Sequence, residues 1–137
     1  LAGLIEGNYS GLAGATSYNH TVAGDNVPAS RISGSAWYAM YYGNTNAGSS
    51  SILGGYYGNT LFLGKMSVGT WPTARILKPE EAWNLDSKID DGKPASGKVI
   101  SFWWDDCGTG TSQTDFTASY DLSVTSLQCT PIFRELF

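Results

Sequence analysis

Seventeen glycines are scattered through 137 residues, and no other feature limits the folding choices of this chain so strongly. Glycine supplies the positive-φ positions that tight turns need and weakens long regular elements. Together with abundant Ser, Thr, Asn and Tyr, it predicts short strands joined by many turns, and so a sheet-dominated fold. An apolar content of 42%, with 13% aromatic, is enough to bury a core and too high for disorder. The length suits one domain spanning residues 1–137.

The pattern along the chain fills in this outline. Residues 1–7 are apolar and glycine-bounded, as at the end of a helix, and residues 8–28 read as loop with a turn at Gly24-Asp25-Asn26. Residues 31–42 carry Ile32, Trp37, Tyr38, Met40, Tyr41 and Tyr42 and predict one or two strands, turned back by residues 43–48. Residues 52–57 and 61–68 predict two further strands joined by a hairpin at Gly58-Asn59-Thr60. A Tyr-Tyr-Gly-Asn-Thr phrase occurs at residues 41–45 and again at 56–60, which reads as two similar turns.

One helix is expected, over about residues 79–91. Pro79 suits the first helical position, Glu80 and Glu81 suit the positive end of the helix dipole, and Gly92 can end the helix. Ala82, Leu85 and Ile89 share the face that would lie on a sheet. Residues 98–104 and 116–124 predict a last strand pair around a loop at 105–115, and residues 132–137 a final strand or docked end.

Several function classes are expected to be absent. A net charge of −4 leaves no basic stripe to neutralise phosphates, which argues against nucleic acid and anionic lipid as partners. No stretch approaches the roughly 20 apolar residues of a membrane span, so no membrane contact is expected of this chain. There is no Gly-x-Ser-x-Gly elbow, no phosphate-cradling glycine loop and only one histidine, His20, so a non-catalytic protein is expected. Cys107 and Cys129 have no second soft ligand nearby. A disulfide in an oxidising compartment is the better reading of that pair, and two buried free thiols the other.

Three aspartates ask for an explanation. Asp86 and Asp90 lie one helical turn apart, Asp91 follows, and all three sit where the helix dipole disfavours anions. Calcium, assisted by carbonyls of the loop at 91–97, is one compensation. Surface pairing with Lys88, Lys93 and Lys98, or a capping role, is the other. Trp71, Trp103 and Trp104 could line a sugar-binding face in a secreted adhesin module. Asp86, Asp105 and Asp106 could serve a secreted hydrolase only if they converge in one cleft.

The stretch Ala82-Trp83-Asn84-Leu85-Asp86-Ser87-Lys88-Ile89-Asp90-Asp91-Gly92-Lys93-Pro94-Ala95-Ser96-Gly97-Lys98-Val99 resembles a block found in the heads of proteobacterial type IV pilin-like and type II secretion pseudopilin-like proteins. That block reads A-x-N-x-D-x-K-x-D-D-G-x-P-x-x-G-x-V. Ala2-Gly3-Leu4-Ile5-Glu6-Gly7-Asn8-Tyr9 and Asn26-Val27-Pro28-Ala29-Ser30 are similar to an earlier stretch of the same proteins. Cys107 and Cys129 match a disulfide loop near their carboxy terminus, so that the resemblance touches about half of the chain. It implies an α+β head of antiparallel sheet with one main helix packed on it, displayed on a periplasmic or cell-surface filament and assembled with other pilin or pseudopilin subunits. It also implies a processed leader and a long apolar stem helix. Leu4-Ile5-Glu6 runs straight into Gly7-Asn8-Tyr9-Ser10, so the chain is expected to be a head separated from that stem.

Overall fold

The computed structural model describes residues 20–45 and 51–135. They form a small α+β fold built on one four-stranded antiparallel sheet. Strands β1 (Ser35–Thr45) and β2 (Gly55–Lys65) pair along their whole length. Helix α1 (Pro79–Ile89) follows, then the short strand β3 (Val99–Ser101), a single helical turn α2 (Trp104–Cys107) and β4 (Pro131–Arg134). The sheet order is β1-β2-β4-β3, which places the last strand of the chain between the second and third.

Alternation along these strands gives the sheet two apolar faces. Tyr38, Phe62, Ile132 and Ile100 stand opposite one another across all four strands, and with Ile52 and Tyr57 they form one core, backed by Trp71 and Phe102. One position along, Leu61, Phe133 and Val99 form the opposite row, and this second core receives Leu63, Ile76 and, from α1, Leu85. The helix therefore lies on the Leu61–Phe133–Val99 face, while loop side chains close the other.

The helix starts as expected. Pro79 takes the first turn, and the Glu81 carboxylate accepts the Lys78 N–H at 2.9 Å, which satisfies a donor at the helix entrance. Its buried face differs from the expected one. Pro79 and Ala82 are buried and Leu85 half-buried, but Ile89 is 51% exposed and Asp86 is fully buried. Hydrophobic spacing alone placed an isoleucine where the fold places a carboxylate, because the partner of that carboxylate is remote in sequence.

Other expectations are corrected as well. Gly58-Asn59-Thr60 is no hairpin turn: it lies inside β2 and pairs with Tyr42, Tyr41 and Met40. Gly58 has φ +64, a conformation glycine adopts freely, and this breaks the strand's alternation. Tyr57 can thus share a core with Phe62 although five positions separate them. The two Tyr-Tyr-Gly-Asn-Thr phrases are strand segments paired with each other, not two separate turns.

Residues 116–124 are turns rather than a strand; their one bridge, from Tyr120 to Gly108, lies outside the sheet. The partner of β3 is instead β4, from the segment expected as a tail. The turn at Gly24-Asp25-Asn26 forms, with the Asn26 side chain accepting the Val22 N–H at 2.7 Å. The helix end expected at residues 1–7, the first part of the loop expected at 8–28, and residues 46–48 lie outside the described residues.

Candidate functional site

The end of α1 is organised by its three aspartates. The N–H of Asp90, the first residue past the helix, donates to the Asp86 carbonyl at 2.6 Å. The Asp90 side chain then turns outward, and its Oδ2 accepts the backbone N–H groups of Lys98 and, at 3.1 Å, Val99. One carboxylate thereby joins the end of the helix to the start of β3. Asp91 braces the loop between them: Oδ1 accepts the Lys93 N–H at 2.9 Å and Oδ2 the Ser96 hydroxyl at 2.6 Å.

The loop is further fixed from outside. The Pro94 carbonyl accepts the Ser101 N–H at 2.9 Å, and the Gly97 carbonyl accepts Nε of Arg134 at 2.6 Å. Gly97 has φ +71, and a Cβ there would strike the Asp90 carboxylate. Glycine is thus required at that place on two counts, conformation and space.

Asp86 is the unusual member, with no exposed surface. Its Oδ2 accepts the Tyr120 hydroxyl at 2.9 Å, while its Oδ1 has no hydrogen-bond partner among the described residues. Burial pushes the Asp86 carboxyl up to about 6; the Tyr120 hydroxyl and the Gly92 amide oppose the rise, and the charges of Asp91 and Asp90 add to it. Burial likewise raises the Tyr120 hydroxyl, with the Asp86 charge contributing. One carboxylate oxygen from each of Asp86, Asp90 and Asp91 lies within 4.8 Å of the others. The cluster grades from buried Asp86 through half-buried Asp90 to exposed Asp91. Among the described residues neither Lys88, Lys93 nor Lys98 forms an ion pair with it; the hydrogen bonds that Asp90 and Asp91 accept are capping-type bonds from backbone N–H groups of the loop and β3, with one from the Ser96 hydroxyl.

Tyr120 has no counterpart in the sequence expectations. It lies 34 positions from Asp86 in a segment read as a strand, and no spacing rule links the two. The same region holds the disulfide. Cys107 and Cys129 are bonded, with Cα atoms 4.9 Å apart, and both are fully buried beside Ala82 and Tyr120. Helix α1 thus packs against the crosslink through Ala82 and against the sheet through Leu85.

The remaining candidates are not brought together. Asp106 pairs with Arg75, whereas Asp86 is bonded to Tyr120 and feels Asp90 and Asp91; neither Asp105 nor Asp106 acts on it. Trp71 packs in the first core. Trp103 donates its indole N–H to the Thr73 carbonyl at 2.7 Å, and the Arg75 guanidinium stands 4.2 Å over its ring. Trp104 packs against Leu53, Ala95 and Ala118. All three are half-buried and form no solvent-facing row. The tryptophan most exposed among the described residues is Trp83, on the outer side of α1. No described helix is long and apolar enough to cross a membrane. Comparisons with family models, curated proteins and solved structures find no match to this chain.

Proposed function

We infer that this chain is the head of a type IV pilin-like or type II secretion pseudopilin-like subunit, a non-catalytic protein whose work is assembly with other subunits of a filament. The observation that carries the reading is the behaviour of the block at residues 82–99, on which the resemblance rests. Its recurrent letters coincide with structural duties: Asp86 is buried under Tyr120, Asp90 ties the helix to β3, Asp91 braces the loop, and Gly97 makes room for Asp90. A motif kept for catalysis would converge on a cleft; this one holds a helix, a loop and a strand in register.

Two features agree with it. The antiparallel sheet with a helix on one face is the head architecture the resemblance implies. The Cys107–Cys129 bond suits an oxidising compartment, and hence a periplasmic or cell-surface location. The test is immunogold labelling of filaments sheared from the producing bacterium, using antibody raised against this chain. Label along filaments, lost when the prepilin peptidase gene is deleted, is the expected result. Chain recovered only as free protein, unchanged by that deletion, would sink the reading.

A further inference from the structure

We propose that Tyr41 and Tyr56 form an oxidative modification site, a surface pair placed to be coupled by a one-electron oxidant into a carbon–carbon-bonded dityrosine that staples β1 to β2. The proposal concerns the domain itself and stands whether or not the chain belongs to a filament.

The geometry begins with the doubled Tyr-Tyr-Gly-Asn-Thr phrase, whose copies pair with each other in antiparallel register. Tyr41 stands opposite Asn59 and Tyr56 opposite Asn44, so the two tyrosines are offset along the hairpin. Each ring leans toward the other over a glycine. Cε1 of Tyr41 lies 3.6 Å from where a Cβ on Gly43 would be, and Cε1 of Tyr56 lies 3.6 Å from the same place on Gly58. A longer side chain at either glycine would fill the space the rings cross. The rings meet edge to face with centroids 6.2 Å apart, and their hydroxyl oxygens are hydrogen-bonded at 2.5 Å. Tyr41 is 62% and Tyr56 60% exposed, so an oxidant in solution reaches both.

The same phrase builds a second tyrosine pair that lacks these properties. Tyr42 and Tyr57 also meet edge to face, at 5.9 Å. Tyr57, however, is buried in the first core and donates its hydroxyl to the Leu53 carbonyl at 2.7 Å. Its phenol is shielded from an oxidant, and its proton has no path to water.

The coupling balances as follows. Each exposed tyrosine loses one electron and its hydroxyl proton, and the two phenoxyl radicals join through ring carbons ortho to the oxygens. The hydrogens on those carbons shift to the oxygens and restore two phenols. The pair thus gives up two hydrogen atoms, which hydrogen peroxide, acting through a haem peroxidase, takes up to become two molecules of water. Rings already held together need no diffusional encounter. An oxidising compartment, of the kind the Cys107–Cys129 bond suits, holds few thiols to quench the radicals.

The whole chain, in dilute solution, is treated with a peroxidase and limiting hydrogen peroxide. Blue dityrosine fluorescence is expected in protein of monomer mass. The tryptic peptide between Arg31 and Lys65 should be lighter by two hydrogen atoms and give no fragments from cleavage between residues 41 and 56. Tyr41→Phe, altered at an exposed position, should stay folded and lose the product from that peptide, whereas Tyr42→Phe should keep it. No dityrosine in the peptide, product found only in crosslinked dimers, or undiminished product in Tyr41→Phe would each overturn the proposal.

Discussion

Burial holds the Asp86 carboxyl near 6 in the folded chain, above the ordinary value of 3.8 expected when the chain unfolds. Between those two values the native state binds more protons than the unfolded state. Stability from this group therefore falls as pH rises through the window and is level above it, opposite to the behaviour of a paired surface carboxylate. The shift corresponds to about 3 kcal/mol at neutral pH. Asp86→Asn removes that cost while its amide oxygen still accepts the Tyr120 hydroxyl. Urea unfolding at about pH 4.5, inside the window, and about pH 7, above it, should show wild type losing stability relative to the variant as pH rises. A constant difference between the two proteins would mean that Asp86 does not titrate there.

At the level of elements, the helix and the crosslink are one assembly. Ala82 and Leu77 pack on the Cys107–Cys129 bond, and the Leu77 carbonyl accepts the Cys129 N–H at 2.9 Å. The bond closes a loop with a sequence separation of 22, for which chain entropy predicts about 3 kcal/mol of stabilisation. A Cys107→Ala, Cys129→Ala double variant should lose about that much in denaturant unfolding, with amide exchange quickening first in α1 and in residues 108–128. Uniform loss across the sheet as well would indicate that crosslink and core are not separable.

The elements also mark where sequence reasoning works. The helix was legible because its signals are local: a proline, two glutamates and a glycine within one segment. The cysteine pair was legible because no competing ligand lies near it. Apart from the strand expected at 116–124, which is turns, the strands were located but their joints were not, since a positive-φ glycine inside β2 carries the same letter as one in a turn, and the partner of β3 lies about thirty residues downstream. The aspartate cluster was visible from spacing. Its buried member was not, because burial there depends on Tyr120, which no local pattern brings to the helix.

For the whole molecule, the sheet order matters most. β4 has four residues and bonds to β2 on one side and β3 on the other, so the described sheet is complete only when this strand arrives. Ile132 stands at its centre, unexposed, in line with Tyr38, Phe62 and Ile100. Ile132→Ala should cost about 2–5 kcal/mol, a large fraction of the total stability of a domain this size. Ile89→Ala, at an exposed position, should change it by less than about 0.5 kcal/mol. Chemical denaturation of the two variants side by side checks the burial pattern; equal losses would contradict it.

The segment after Tyr120 invites a different thought. Asp121 accepts the Ser123 N–H and hydroxyl, Leu122 and Leu127 point outward, and neither of the two cores of the sheet uses a residue between 121 and 128. A buried tyrosine and a covalent crosslink clamp its two stems. Such a segment is free to change in sequence, or to carry a grafted peptide, while the framework beneath it stays the same.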